Sequence, residues 1–217
     1  MTYNKYIDHT LLKPDASPKQ IKKLCLEAKE YDFKSVCVNP VYVPLAVKLL
    51  EDTDVLVCTV IGFPLGQNLT KTKIAEAKLC VKLGAKEVDM VLNVGYLKAR
   101  RYKFVTDEIR KIKAAVGKDI VLKVILETAL LTKDEIIEAC LLSREAGADF
   151  VKTSTGFAAA GATLENVRLM REIVGAYMGV KASGGVKNRE QMLQMIEAGA
   201  SRIGTSSGVE IMKSEVK

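Results

Sequence analysis

Asp149-Phe150-Val151-Lys152-Thr153-Ser154-Thr155-Gly156 is a short β-rich run that carries one lysine among apolar neighbours and breaks into a polar turn ended by glycine. Ala146-Gly147-Ala148 just before it reads as the end of a helix. The same order of helix, short strand and glycine turn recurs along the chain. Further strand candidates are residues 6–10, 33–38, 54–61, 87–93 (closed by Gly95), 120–127, 179–183 and 201–206. Between them lie helical stretches with recognisable ends. Ser17 caps one with Pro18 at its first position, and Ile21, Leu24, Cys25 and Ala28 fall on one face of it. Val105, Ile109, Ile112 and Val116 form a second stripe that stops at Gly117, while Thr132 and Thr163 open helices that end at Gly147 and Gly175. Strict alternation of β and α implies a parallel sheet with right-handed crossovers. Eight such units predict an α/β fold, a single closed (β/α)8 TIM barrel spanning residues 1–217, with an open doubly wound sheet as the alternative.

Composition narrows the function. The 217 residues are 48% hydrophobic and 27% charged, an ordinary globular balance with enough chain for one well-buried core. Residues 1–5 lack the apolar core of a signal peptide, and no apolar run reaches the ~18 residues of a membrane span, so a cytoplasmic protein without a membrane partner is expected. Five cysteines are odd in number and never in a C-x-x-C pair, which reads as reduced thiols. A metal is not expected, because His9 is the only histidine and no ligand cluster is visible. The net charge of +7 comes from lysines on polar helix faces, interleaved with acids such as Glu27 and Glu30, and tryptophan is absent. That pattern argues against a nucleic-acid partner and for a positive field that attracts a phosphorylated metabolite.

The chemistry is in the strands. Gly84-Ala85, Gly147-Ala148 and Gly199-Ala200 each close a helix and launch a strand, and five residues after each glycine come Asp89, Lys152 and Gly204. With a period of two, Val88, Met90 and Leu92 face the helices and leave Asp89 inside; Lys123, Lys152 and Lys181 face inward by the same count. Ser35, Cys37 and Asn39 also face inward, Cys37 reading as small core filler. Spacing does not assign the faces of Asp8 and His9. Lys123, Asp8 and Thr153 are taken as supporting groups around the lumen, although alternation alone turns Thr153 outward with Val151. A buried salt-bridge network is one use for these charges. Three lysines facing one or two acids are over-supplied with positive charge, which predicts that at least one has a depressed pKa and can attack a carbonyl as the free amine. Gly156, Gly184, Gly185, Gly204, Ser206 and Ser207 lie in turns after the strands, most of them after the last two, where barrels of this kind bind phosphate through backbone N–H groups and hydroxyls.

Several segments together resemble one family. Residues 7–14 (IDHTLLKP), 35–40 (SVCVNP), 58–66 (CTVIGFPLG), 87–91 (EVDMV), 150–157 (FVKTSTGF) and 180–186 (VKASGGV) are similar to those of the deoxyribose-phosphate aldolases, class I aldolases that work without a metal. The resemblance implies reversible cleavage of 2-deoxy-D-ribose 5-phosphate to D-glyceraldehyde 3-phosphate and acetaldehyde. It implies Lys152 as the Schiff-base lysine, a choice that spacing alone leaves open between Lys152 and Lys181. It also implies Lys181 as the second lysine, which lowers the pKa of the first and relays protons, and Asp89 as a proton-shuttling carboxylate. A TIM barrel, a homodimer or larger homo-oligomer, and a place in deoxynucleoside breakdown in the cytoplasm are implied as well.

Two departures are visible. After Phe157 the family often has Ser-Thr-Gly-Gly, where this chain has Ala158-Ala159-Ala160-Gly161. Some members end in a tyrosine that assists proton transfer, whereas residues 214–217 here read SEVK. Another phosphosugar Schiff-base aldolase on the same barrel, or a barrel that only binds a phosphosugar, are the competing readings.

Overall fold

The helices begin where their caps predict. Ser17 and Thr132 each form a reciprocal capping box, with Gln20 and Glu135 respectively, and the Thr163 side chain accepts from the Asn166 N–H. The computed structural model describes residues 3–214. Its elements alternate as β1 (Ile7–Leu11), α1 (Pro18–Glu30), β2 (Ser35–Val38), α2 (Val43–Leu50), β3 (Leu56–Ile61), α3 (Thr70–Lys82) and β4 (Glu87–Val91). Two helices follow, α4 (Val94–Lys98) and α5 (Tyr102–Val116). The remainder is β5 (Val121–Ile125), α6 (Lys133–Glu145), β6 (Phe150–Lys152), α7 (Leu164–Val174), β7 (Gly179–Ser183), α8 (Arg189–Glu197), β8 (Arg202–Thr205) and α9 (Gly208–Lys213). The strands are parallel and close in chain order, β8 pairing with β1, so the sheet is the closed barrel and not the open alternative.

Two strands end two residues earlier than expected, each for a local reason. β4 stops at Val91 because the Asn93 side chain accepts from the Tyr96 N–H, 3.0 Å away, and starts α4; Gly95 therefore lies inside a helix rather than closing the strand. β5 stops at Ile125, and Glu127 takes a left-handed φ of 57°, which no strand residue can hold.

Alternation along the strands sorts the two sides of the barrel. Val88, Met90, Leu92, Leu122, Val124, Leu126, Val151 and Val180 are buried in one apolar layer with helix residues such as Ile109, Ile112 and Ala139. Burial of each large aliphatic side chain contributes about 1.5–3 kcal/mol, so this annular core holds the sheet and its helices together. The strand residues between them point into the lumen. The register places Asp89 beside Lys123, Lys152 beside Lys181, and Lys181 beside Arg202, so the charged side chains converge at neighbouring levels of one small space. Among the described residues no helix is long and apolar enough to cross a membrane.

Candidate active site

Asp89 is the hub of the lumen. Its Oδ1 accepts from Lys123 Nζ at 2.8 Å, and its Oδ2 accepts from both Lys152 Nζ and Lys181 Nζ at 2.9 Å. The two amines that share Oδ2 are therefore no farther apart than twice that distance. Asp8, whose face the sequence left open, points inward: its Oδ2 lies 2.5 Å from Lys181 Nζ, and its Oδ1 accepts from Ser35 and from Arg202. His9 turns the other way, between Phe33 and the Glu27 carboxylate. Two further lumenal charges were not anticipated. Glu87 lies 2.6 Å from Lys123 Nζ, and Arg202 reaches Glu87 as well as Asp8. Both obey the strand parity: Glu87 is two residues before Asp89, and Arg202 is two before Gly204.

The lumen thus holds four cations (Lys123, Lys152, Lys181, Arg202) against three carboxylates (Asp8, Glu87, Asp89). Burial pushes the Asp89 carboxyl up, but Lys123, Lys152 and Lys181 together outweigh it and hold the group well below the usual carboxylate range. Asp8 behaves alike, burial being overcome by Lys181, Arg202 and Lys123. Burial pushes Lys181 and Lys123 down, yet the carboxylates around them win and raise both above the ordinary lysine range. The expected depression from surplus positive charge therefore does not fall on Lys123 or Lys181. Each of these two has two carboxylates close by, Glu87 and Asp89 for Lys123 and Asp8 and Asp89 for Lys181.

These shifts have a signed consequence for stability. The depressed carboxylates stabilise the fold fully above the unfolded-state pKa of about 4, and that contribution is lost as pH falls through this range. The raised lysines stabilise it below about pH 10 and lose the contribution as pH rises further. A thermal midpoint that is flat between about pH 5 and 9 and drops on both sides is expected from differential scanning fluorimetry. A midpoint that climbs on acidification from about pH 5 to 3 would contradict the arrangement.

Lys152 differs from the other lumenal cations in one respect. It lines an open cavity of about 370 Å³, together with Gly156, Gly184, Gly185, Gly204, Ser206 and Ser207. The six glycines and serines singled out from the sequence thus meet around the one lumenal lysine that lines the cavity. Gly204 also has an internal task, since a Cβ there would lie 2.9 Å from Lys181 Cε; the missing side chain is the room in which the Lys181 stem lies. Gly184, at φ +85°, approaches the backbone of Gly161 so closely that neither position has space for a side chain. Thr153 is a correction: its hydroxyl donates to Ser183 O and accepts from Ser183 N–H, tying β6 to β7, and it does not line the cavity.

A family model for DeoC/LacD family aldolase matches residues 2–214. The chain belongs to this family. In this member Lys152 is the lumenal lysine that the cavity presents. Deoxyribose-phosphate aldolases of Brevibacillus brevis and Clostridium botulinum are 60% identical over 212 residues and 59% identical over 213. Each alignment covers 98% of this chain, and 96% and 100% of the respective relative. The solved deoxyribose phosphate aldolase from Aeropyrum pernix, described as a unique tetramer, superposes with a TM-score of 0.90 at 37% identity over 97% of this chain and 89% of that one.

One expectation about ligands is also corrected. Potential metal donors do converge in this DeoC/LacD barrel: Cys37 Sγ, Cys58 Sγ and an Asp89 carboxylate oxygen lie within 4.8 Å of one another. They come from β2, β3 and β4, so only the register brings them together. Both Asp89 oxygens already accept from ammonium groups, and Lys123 Nζ lies 3.3 Å from Cys58 Sγ, so a further cation there would lie among like charges. The two cysteines instead join Leu12, Val60 and Phe63 in a small apolar cluster beside the charged hub.

Proposed function

We propose that this protein is a Schiff-base aldolase that reversibly cleaves 2-deoxy-D-ribose 5-phosphate to D-glyceraldehyde 3-phosphate and acetaldehyde, with the whole chain acting as one barrel domain. The observation that carries the reading is the placement of Lys152: its Nζ touches Asp89 inside the lumen while its flank opens onto a cavity edged by glycines and serines. As a free amine, Lys152 leaves the lumen with three cations against three carboxylates. Attack on the open-chain aldehyde and loss of water give an iminium, and that cation accepts the electrons of the breaking C–C bond as the proton of the 3-hydroxyl departs. Protonation of the resulting enamine and addition of water release acetaldehyde and return the amine. Asp89, held low by its ammonium neighbours, is suited to pass a proton between Lys152, Lys181 and water rather than to keep it. Lys123, Asp8, Glu87 and Arg202 fix the two lysines in place.

The cavity also separates sugars by their phosphate. Gly184, Gly185, Gly204, Ser206 and Ser207 offer amide and hydroxyl donors, and Lys13 and Lys187 add positive charge to the lining. Binding energy from a phosphate far from the reacting carbons lowers the barrier only when that group is present. The kcat/KM for unphosphorylated 2-deoxyribose is expected to be on the order of 10²-fold or more below that for the 5-phosphate. Equal values in a coupled acetaldehyde assay would remove the phosphate clamp from the account. The alanines at residues 158–160 do not line this cavity.

The deciding experiment is borohydride reduction in the presence of 2-deoxyribose 5-phosphate, followed by peptide mass spectrometry. A reduced adduct on Lys152 supports the scheme, and an unmodified Lys152 in folded, substrate-treated protein sinks it. We further place the enzyme in the cytoplasm as a homo-oligomer, a dimer or larger, acting on soluble phosphosugar and aldehyde with no metal, nucleic-acid or membrane partner. Residues 215–217, where the expected departure in the tail falls, lie outside the described residues.

A further inference from the structure

Glu127 is buried, with about 5% of its surface exposed, and among the described residues it is one of three non-glycine residues with a left-handed φ, here 57°. Such a conformation is costly for a side chain of this size and persists only where neighbours over-determine it. They do so here. The amide before it, Leu126 N–H, donates to Lys152 O at 2.9 Å, and the amide after it, Thr128 N–H, donates to Thr153 O at 2.9 Å. The backbone at Glu127 is therefore clamped on both sides to the strand that carries Lys152. Among the described residues no cation pairs with its carboxylate. The carboxylate instead accepts from Thr155 N–H at 3.3–3.4 Å and from the Thr155 hydroxyl. That hydroxyl in turn accepts from Phe157 N–H at 3.0 Å. One buried carboxylate thus organises the whole turn Thr155-Gly156-Phe157, and those three residues line the cavity beside Lys152.

We propose that Glu127 is a positioning residue for the aldol reaction, acting through the Thr155 hydroxyl to hold the wall of the substrate cavity that follows the Schiff-base lysine. The proposal rests on the aldolase reading above. A buried anion whose only partners are one hydroxyl and one amide N–H gains little as a fold-stabilising element. It does, however, fix the direction of that hydroxyl and, through it, the Gly156 and Phe157 backbone. Glu127 does not line the catalytic cavity itself, so its loss should disturb how substrate is held more than the covalent step.

The test uses the full chain with 2-deoxyribose 5-phosphate and five variants. Glu127→Ala is expected to raise KM about tenfold, the scale of one lost charge-assisted hydrogen bond, with kcat changed less than about threefold. Glu127→Gln, which keeps an acceptor for the hydroxyl, is expected to return KM to within about threefold of wild type. Thr155→Val should match Glu127→Ala, and the double variant should be no worse than either single, because both remove the same link. Unchanged KM in Glu127→Ala, or additive losses in the double variant, overturns the proposal. If Glu127→Ala does not fold, Thr155→Val against Thr155→Ser decides: equal KM values overturn it, and a rise confined to Val supports it. Borohydride adduct formation on Lys152, at saturating substrate, separates the two readings. Its absence from wild type defeats the aldolase reading, whereas its presence in every variant leaves only the role of Glu127 in question.

Discussion

Lys152→Ala is expected to lower kcat/KM by at least about 10⁴-fold and to leave no borohydride-reducible adduct, while the fold is kept. The catalytic loss follows from chemistry: without an amine the enamine route does not exist, and no other lysine of the cluster lines the cavity. The structural half of the prediction follows from charge. Lys152 is one of four lumenal cations facing three carboxylates, and Asp89 keeps Lys123 and Lys181 as partners when it is gone. Removing one positive charge from an over-supplied cluster relieves repulsion among those that remain. Against that gain is the space left by the buried side-chain stem, a loss limited because that space adjoins the open cavity. A thermal midpoint within a few degrees of wild type, alongside abolished turnover, is the expected pairing. A large fall in midpoint would mean that Lys152 is mainly a structural counter-ion. Retained turnover would mean that the amine is elsewhere.

Most of the barrel and the centre of its site were legible because both rest on local periodicity. Alternation of two fixes which strand residues enter a closed sheet, and it placed Asp89, Lys123, Lys152 and Lys181 inside before any register was known. The same rule applied one step earlier on β4 and β8 reaches Glu87 and Arg202; counting from the preceding glycine instead of along the strand passes over them. Other features were hidden for physical reasons. The meeting of Cys37, Cys58 and Asp89 depends on the register between three strands, which a linear sequence does not display. The link from Glu127 to Thr155 depends on a left-handed backbone that breaks the alternation used to assign faces. The faces of Asp8 and His9 were open because a single weak strand has no helix-facing pattern to count against. The state of the lysines depends on which carboxylates surround each one, and the pairings of Glu87 with Lys123 and of Asp8 with Lys181 arise only when the barrel closes. The resemblance implies Lys152 rather than Lys181 as the Schiff-base lysine, a choice that spacing leaves open, and of the two only Lys152 lines the cavity.

Asp89→Asn should be the most damaging conservative change in the barrel. An amide has nearly the carboxylate's shape, so packing is preserved and the effect isolates one charge. Asp89 is fully buried and accepts from Lys123, Lys152 and Lys181. Its removal leaves four cations against two carboxylates, Asp8 and Glu87, and an asparagine carries N–H donors that point at ammonium groups. Breaking a buried ion pair by removing one partner costs about 3–5 kcal/mol, because the remaining charge is left uncompensated. Lys152, whose one carboxylate partner is Asp89, loses it altogether, while Lys181 keeps Asp8 and Lys123 keeps Glu87. Activity should fall as well, by roughly 10²–10⁴-fold, because the proton path between Lys152 and Lys181 runs through the shared Oδ2. The two effects have different pH signatures. Stability of the variant should improve relative to wild type as pH rises toward 10, where a lysine released from Asp89 can deprotonate, and its loss of stability on acidification should be shallower because one depressed carboxylate is gone. Chemical denaturation across pH, with turnover measured on the same samples, tests both. A variant as stable as wild type at pH 7 would show that the lumen discharges one lysine on its own, and the charge inventory drawn for the barrel would then have to be revised.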